Sequence, residues 1–326
     1  MVVLIALLVV TTACEPTTGG DGDRPRVVAT TTQVGSIVRE LGADAIHLTV
    51  LLGPGVEAHD FELTPDQAAA LEQADLVLVS GAGLEDWLDD TIEGTGNADR
   101  VRDLSEGIEL RSPSEEEPAH GHDDDEEAHH DDEEEHHDDE EGRDHGDEVD
   151  PHYWLSGPNA LVMIENARAA LVELAPASAE PIDDRAAELV ARVEAADAEV
   201  RRLIDQIPPD ERRIVTDHDA LGYFVDEYGL EFVGSVFPTL DVSSEPSARE
   251  VEALIAEIRG SGVRAVFTES SVNPRLARAI AEESGARLVN EPIYTDSLGE
   301  EGSGADTLDG MLLHNARVIH DGLTGG

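Results

Sequence analysis

An α/β fold of two lobes, each a parallel sheet flanked by helices and the two joined by one long rigid helix, is predicted by two observations. Short apolar runs alternate with helical patterns in both halves of the chain. Between the halves, a three-to-four apolar spacing holds unbroken over residues 182–207. A helix of that length would measure about 39 Å, longer than either lobe needs for itself, which suits a rigid connection. With 326 residues and 40% hydrophobic content, the chain can build two ordinary domains with real cores.

Taken in order, residues 27–31 form an apolar run of the kind that makes a buried strand, and Val34, Ile37, Val38 and Leu41 give 33–41 helical spacing. A second strand is predicted over 48–52, ended by Gly53-Pro54-Gly55. The helix after it starts cleanly, with Thr64 as cap, Pro65 in the first turn and Gln67 three residues beyond the cap. Residues 75–80 read as another buried strand, closed by Gly81-Ala82-Gly83. Farther on, 159–174 is apolar at helical spacing, and Pro176 and Pro181 separate it from the long helix. The second half runs strand 213–216, a helix ending at Tyr228, strand 230–236, helix 246–259, strand 263–268, helix 273–283, a short strand 287–290 and a final helix over 307–323. The halves share this architecture without a strong sequence repeat. The expected division is a first lobe over 24–180, a linking helix over 181–208 and a second lobe over 209–326.

One stretch belongs to neither core. Residues 115–150 hold 21 Asp or Glu, one Arg and seven histidines: His120, His122, His129, His130, His136, His137 and His145. So little apolar surface cannot offset the entropy of ordering, and the like charges repel, so 112–149 is predicted to be a disordered, solvated loop. Carboxylates concentrate divalent ions and neutral imidazole binds Zn, Cu, Ni and Fe, which makes the loop a weak secondary metal-binding segment rather than only an acidic linker. The net charge of −52 comes from 73 acids against 21 basic residues, every one an Arg. Without residues 115–150 there remain 52 acids against 20 arginines, so the acidity is global. It argues against nucleic acid or an anionic membrane surface as the main partner.

The single cysteine, Cys14, follows the apolar residues 2–10 and the phrase Thr11-Thr12-Ala13. That run is too short for a permanent membrane helix and matches the apolar centre of an export signal. A cysteine just behind a small residue and ahead of the flexible tract 16–23 resembles a bacterial lipoprotein signal, although Thr11 stands where such signals carry Leu and no Lys or Arg precedes Val2. The resemblance implies that 1–23 is signal and tether, with Cys14 lipidated and the protein held at the outer face of the cytoplasmic membrane. A second cysteine is absent, which excludes a disulfide within the chain.

Six histidines lie outside the acidic run, and two of them follow predicted strands: His59 after 48–52 and His218 after 213–216. Ligands of open parallel sheets bind beyond the carboxyl ends of strands, so these two point to equivalent places in two lobes. His152 precedes an apolar helix where the acidic loop returns to the fold, and Asp296 follows the strand at 287–290. Three imidazoles and a carboxylate suit a tetrahedral divalent ion. Each choice has an ordinary alternative: a histidine near a strand end is commonly a structural hydrogen-bonding residue, and Asp296 is equally a helix-cap residue. His47, His314 and His320, lacking a supporting phrase, are read as surface or helix residues. Glu57, Asp217, Asp219 and Glu269 are candidates to orient the ligands, because ligating histidines commonly donate their other N–H to such carboxylates.

Four phrases carry a family resemblance: Gly53-Pro54-Gly55-Val56-Glu57-Ala58-His59-Asp60-Phe61-Glu62-Leu63-Thr64-Pro65, Asp150-Pro151-His152-Tyr153-Trp154-Leu155, Thr216-Asp217-His218-Asp219-Ala220-Leu221-Gly222-Tyr223-Phe224 with Tyr228-Gly229-Leu230, and Tyr294-Thr295-Asp296. In this order they resemble the zinc/manganese solute-binding proteins of bacterial ABC importers, from about Val27 to the C-terminus. The resemblance implies one metal ion in the cleft between two α/β lobes, held by His59, His152, His218 and Asp296, and delivery to the membrane subunit of an ABC permease by a monomer. The acidic histidine-rich run before the second ligand is similar to the insert of the zinc-specific branch. A cysteine pair that some relatives carry in the second lobe is missing.

The ion expected is Zn²⁺ rather than Mn²⁺ or iron. The manganese branch tends to place Glu where this chain has His218, and a nitrogen-rich set favours zinc over the oxygen-preferring manganese. A zinc-dependent hydrolase would need an open metal position, and the chain has neither a His-Glu-x-x-His phrase nor a Gly-x-Ser-x-Gly elbow. A plain acidic metal buffer would bind through the loop alone. Free imidazole titrates near about 6.5, so affinity is expected to fall as pH drops through roughly 6.

Overall fold

A computed structural model describes residues 24–59, 61–96, 98–112, 149–239 and 245–325. Cys14 and the seven loop histidines from His120 to His145 lie outside the described residues. In the first half the elements are β1 (Arg26–Ala29), α1 (Thr32–Gly42), β2 (His47–Val50), α2 (Pro65–Glu72), β3 (Leu76–Val79), α3 (Asp86–Thr95), β4 (Val101–Asp103), α4 (Gly157–Leu174) and α5 (Ala179–Asp205). The second half adds β5 (Arg213–Thr216), α6 (Gly222–Tyr228), β6 (Glu231–Ser235), α7 (Ala248–Ser261), β7 (Ala265–Glu269), α8 (Arg275–Ser284), β8 (Arg287–Ile293) and α9 (Leu308–Thr324).

The strands form two four-stranded sheets in the orders β2-β1-β3-β4 and β6-β5-β7-β8, and every described pairing is parallel. In each sheet the chain builds outward from a first strand and then crosses back to its other side. The order therefore reverses between β1 and β3 and again between β5 and β7, the places where such sheets bind ligands. Val27, Val28 and Ala29 of β1 and all four residues of β3 are buried, as expected of strands covered on both faces. The short apolar runs of the sequence record this directly.

Helices α1, α4, α5 and α9 pack on one another and fill the space between the sheets. One buried apolar cluster consequently runs from Val27 and Leu78 through Met163, Leu189 and Val200 to Phe267, Met311 and Ile319. A second, smaller cluster lies under α7 and α8, around Val266, Ile255 and Ile280. The lobes thus share a core.

Three details depart from the sequence-based expectation. The long helix begins at Ala179 rather than beyond Pro181 and ends at Asp205; proline is tolerated in a first turn, where its missing N–H would have no helical partner anyway. Helix α3 and strand β4 occupy a stretch to which the sequence reading assigned nothing. Strand β8 runs on to Ile293, three residues past its predicted end, with an irregular register against β7 between Phe267 and Glu269. The helix start at Thr64 has the expected form: Thr64 accepts from the Gln67 N–H, and the Gln67 side chain accepts from the Thr64 N–H at 2.9 Å.

Candidate metal centre

His218 is the second residue beyond β5, at the point where the second sheet reverses its order. Its position is set by backbone contacts: Thr216 Oγ1 donates to the His218 carbonyl at 2.6 Å, and the His218 N–H donates to Glu269 Oε1 at 2.9 Å. Asp217, its neighbour, turns the other way and accepts from the Glu269 N–H at 2.8 Å, tying the end of β5 to the end of β7.

His59 sits in the connection between β2 and α2. Gln67 Nε2 donates to the Leu51 carbonyl at 2.7 Å and Trp87 Nε1 to the Ala58 carbonyl at 3.0 Å, which fixes the connection at both ends. The His59 N–H donates to Glu57 Oε1 at 2.8 Å. His152 is held in a turn in which Asp150 Oδ1 accepts from both its N–H, at 3.0 Å, and its Nδ1, at 2.8 Å. The next two side chains pin that turn to both lobes: Tyr153 donates to the Ser80 carbonyl at 2.6 Å and Trp154 Nε1 to the Thr295 carbonyl at 2.9 Å. Asp296 follows β8 and accepts from Ser271 Oγ at 2.8 Å through Oδ2, leaving Oδ1 facing the imidazoles.

These four side chains converge. One donor atom from each of His59, His152, His218 and Asp296 lies within 4.8 Å of the others. Asp296 Oδ1 is 3.1 Å from His152 Nε2, 3.5 Å from His218 Nε2 and 4.0 Å from His59 Nε2. The two Nε2 atoms of His59 and His152 are 3.3 Å apart. His152, His218 and Asp296 are buried, whereas the His59 side chain keeps 15% exposure and lies at the mouth. In each of the two buried histidines Nδ1 faces a carboxylate, so Nε2 is the nitrogen turned inward. Glu269 Oε2 lies 2.8 Å from His218 Nδ1.

Charge around the cluster is dominated by carboxylates. Burial pulls His152 down, but hydrogen bonds to Asp150 and Asp296 overcome it and hold the ring up at about 9. For His218 burial also acts downward, and the Glu269 and Asp296 charges raise it well above the ordinary range. Burial opposes ionisation of Asp296, yet the two imidazoles keep its carboxyl well below the usual range. Asp217 is pushed up to about 7 by burial and by Glu269 beside it. The surrounding carboxylates thus favour protons on the His152 and His218 imidazoles. A dication can replace those protons with the same sign of charge and four donors.

Asp150 has a second partner that sequence reasoning did not find. Arg111 Nη1 donates to its Oδ2 at 3.0 Å, and the guanidinium occupies space left by Gly222, where an added Cβ would stand 1.4 Å from Nη1. Ser271 and Trp154 were likewise given no role. Nothing in its local pattern separates Ser271 from residues that merely pack, and Trp154, though inside a distinctive phrase, gives no sign there that its indole N–H has a partner. Of the histidines set aside, His314 lies 2.9 Å from the Pro292 carbonyl through Nε2 and His320 pairs with Asp321, both away from the cluster. Glu269 does contact a cluster histidine, as expected for an orienting carboxylate, and Glu57 reaches the backbone of His59.

The family described as "ZnuA: Zinc-uptake complex component A periplasmic" matches residues 27–322. Among curated proteins, the chain is 27% identical over 325 residues to the manganese-binding lipoprotein MntA of Halalkalibacterium halodurans, covering 99% of this chain and 97% of that protein. It is 29% identical over 282 residues to the iron-binding protein YfeA of Yersinia pestis, covering 85% and 79%. Among solved structures, the periplasmic zinc-binding protein TroA of Treponema pallidum superposes with a TM-score of 0.76 at 27% identity, over 92% of this chain and 99% of that one.

Proposed function

The chain belongs to the family of the periplasmic zinc-uptake complex component A, and from that premise we propose that it captures Zn²⁺ outside the cytoplasm and delivers it to an ABC permease. It is a substrate-binding protein of metal ABC transporters and not an enzyme. The work is extracytoplasmic, in keeping with relatives named as lipoproteins and periplasmic proteins. No helix among the described residues is long and apolar enough to cross a membrane. Lipidation at Cys14, action as a monomer, and the division into lobes 24–180 and 209–326 around a link at 181–208 belong to the same proposal.

The observation that carries it is the convergence of His59, His152, His218 and Asp296, with donor atoms within 4.8 Å and three of the four side chains buried. We assign these four as the ligands. The donors come from loops of both lobes, which suits capture and release, and the partly exposed His59 offers the first contact to an arriving ion. Once seated, the ion lies where water is largely excluded and charges count for more. Asp150 and Glu269 would hold the Nε2 atoms of His152 and His218 in ligating orientation. The seven loop histidines, with their acidic neighbours, would gather ions weakly and raise the local concentration.

Zinc is proposed over manganese because three of the four donors are nitrogen. A second reading, capture of Mn²⁺ or iron, is supported by the manganese- and iron-binding relatives. Competition between Zn²⁺ and Mn²⁺ in metal buffers separates the two.

The test is metal content and Zn²⁺ titration of the chain, of a version lacking residues 115–148, and of His218→Ala. One tight zinc per chain should survive the deletion, while His218→Ala should weaken binding by at least about 100-fold. A deletion that binds nothing, beside an unchanged His218→Ala, would make the protein an acidic metal buffer.

A further inference from the structure

Asp296 is the only oxygen donor of the four, and it rides on a loop of the second lobe that the first lobe grips on both sides. At the start of the loop, Asn315 of α9 accepts from the Tyr294 N–H at 2.9 Å and donates to the Tyr294 carbonyl at 2.7 Å. The next carbonyl, that of Thr295, accepts from two buried donors across the cleft: Trp154 Nε1 at 2.9 Å and Gln33 Nε2 at 3.2 Å. Beyond Asp296, the Gly55 N–H donates to Ser297 Oγ at 2.9 Å and the Leu298 N–H donates to Thr32 Oγ1 at 2.8 Å. Thr32 Oγ1 also donates to Gln33 Oε1 at 3.0 Å, which fixes the amide with its NH₂ turned toward Thr295.

Gln33 is fully buried in the first turn of α1, an expensive place for an amide that serves only packing. The Thr295 carbonyl belongs to the peptide plane that joins Thr295 to Asp296. Two donors on that oxygen fix the plane, and with it the direction in which the Asp296 carboxylate leaves the backbone. An ion that prefers oxygen depends on that direction more than one that three imidazoles already suit.

We propose that Gln33 and Trp154 are positioning residues: by holding the Thr295 carbonyl they set Asp296 against the three imidazoles and decide how well the site retains an oxygen-preferring ion. The proposal rests on the four-ligand assignment. It makes the first lobe responsible for four contributions to the site, two imidazoles directly and two donors through the second lobe's loop.

Gln33→Met keeps the length of the side chain and removes its polar groups. In the full chain, dissociation constants for Zn²⁺ and Mn²⁺ are measured by chelator competition, alone and in an Asp296→Asn background, beside the melting temperature of the metal-free protein. Gln33→Met should weaken Mn²⁺ by about 10- to 100-fold, the range expected of a residue that orients a ligand, and Zn²⁺ by less. In the Asp296→Asn background it should add nothing for Zn²⁺, because what it positions is gone. Trp154→Phe, which removes the indole donor, should act in the same direction. Thr32→Val, whose hydroxyl reaches the loop only through Gln33 and Leu298, repeats the test should Gln33→Met fail to fold. Equal losses for both ions that persist beside Asp296→Asn would overturn the proposal, as would unchanged affinities. If Asp296→Asn itself leaves both affinities intact, the four-ligand assignment falls and the proposal with it. If Asp296→Asn weakens binding and Gln33→Met does not, only the positioning role is lost.

Discussion

At the reversal point of the first sheet, Glu85 accepts from Thr30 Oγ1 at 2.6 Å, from the Ser80 N–H at 2.7 Å and from the Gly81 N–H at 2.9 Å. At the matching point of the second, Glu269 accepts from the His218 N–H and from Thr295 Oγ1, at 2.9 and 2.5 Å, and stands beside His218 Nδ1. Both carboxyls are buried, Glu269 as the last residue of β7 and Glu85 six residues beyond the end of β3. The partners differ. Those of Glu85 support a turn in which Gly81, Ala82 and Gly83 all have positive φ, the Ala82 value of 54° being uncommon for a residue with a side chain. Those of Glu269 are a candidate ligand and the loop that carries another. One buried carboxyl therefore shapes a backbone and the other aims a nitrogen, and an imidazole within reach makes the difference. The first lobe must bring its imidazoles from farther out, on the connection after β2 and the turn before α4.

The sharpest way to break this contrast is Glu269→Gln. Loss of the charge beside His218 should weaken zinc binding by about 10- to 100-fold, measured by chelator competition. An unchanged affinity would reduce Glu269 to the role of Glu85. The next effect is in pH. Because His152 is held up at about 9 in the metal-free protein, it carries a proton at neutral pH that an arriving ion must displace. Affinity should decline as pH falls below about 9, by about tenfold per unit for each proton released. This begins well above the pH expected from free imidazole. Calorimetry in buffers of different ionisation enthalpy counts the protons. By the same linkage, His152 stabilises the metal-free fold fully below pH 6.5 and loses that contribution as pH rises through about 9.

Glu85 should affect stability and leave metal affinity alone. Burial pushes its carboxyl up from 4.5 to about 7, against its hydrogen bonds. Between those values the folded chain binds the extra proton, so this group lowers stability as pH rises from 4.5 to about 7. Glu85→Gln should abolish that slope in melts at pH 5 and 8. It should also cost about 1–3 kcal/mol, since the amide NH₂ must face an N–H or a hydroxyl donor. The smallest change, Thr64→Ala, removes one helix cap in the first lobe and should cost about 1 kcal/mol in denaturant titration with binding unaltered.

The four candidate ligands were legible because each ends an apolar run or sits in a distinctive phrase, so local pattern and position in the fold agree. Asn315 was equally open to discovery, since it interrupts the buried face of α9 marked by Met311, Leu312, Ala316 and Ile319. A polar residue on an apolar stripe is a signal. Gln33 gives no such sign: the first turn of a helix is an ordinary place for glutamine, and only the loop from the other lobe explains its burial. Arg111 is similar, because its value depends on the gap at Gly222, more than a hundred residues away. Helix α3 and strand β4 escaped because their runs are short and polar, with Asp99, Arg100, Arg102 and Asp103 around a single Val101.

The apolar cluster that passes unbroken from one sheet to the other through α1, α4, α5 and α9 has a mechanical consequence. A jaw can swing when its halves meet only across water and a thin strap. Here the strap is a keel, and swinging either half would peel methyl groups apart along its length, at about 25 cal/mol for each Å² uncovered. Any opening that swung whole lobes apart would therefore have to uncover that shared core, a cost that falls on the hull and not on the loops around the cluster.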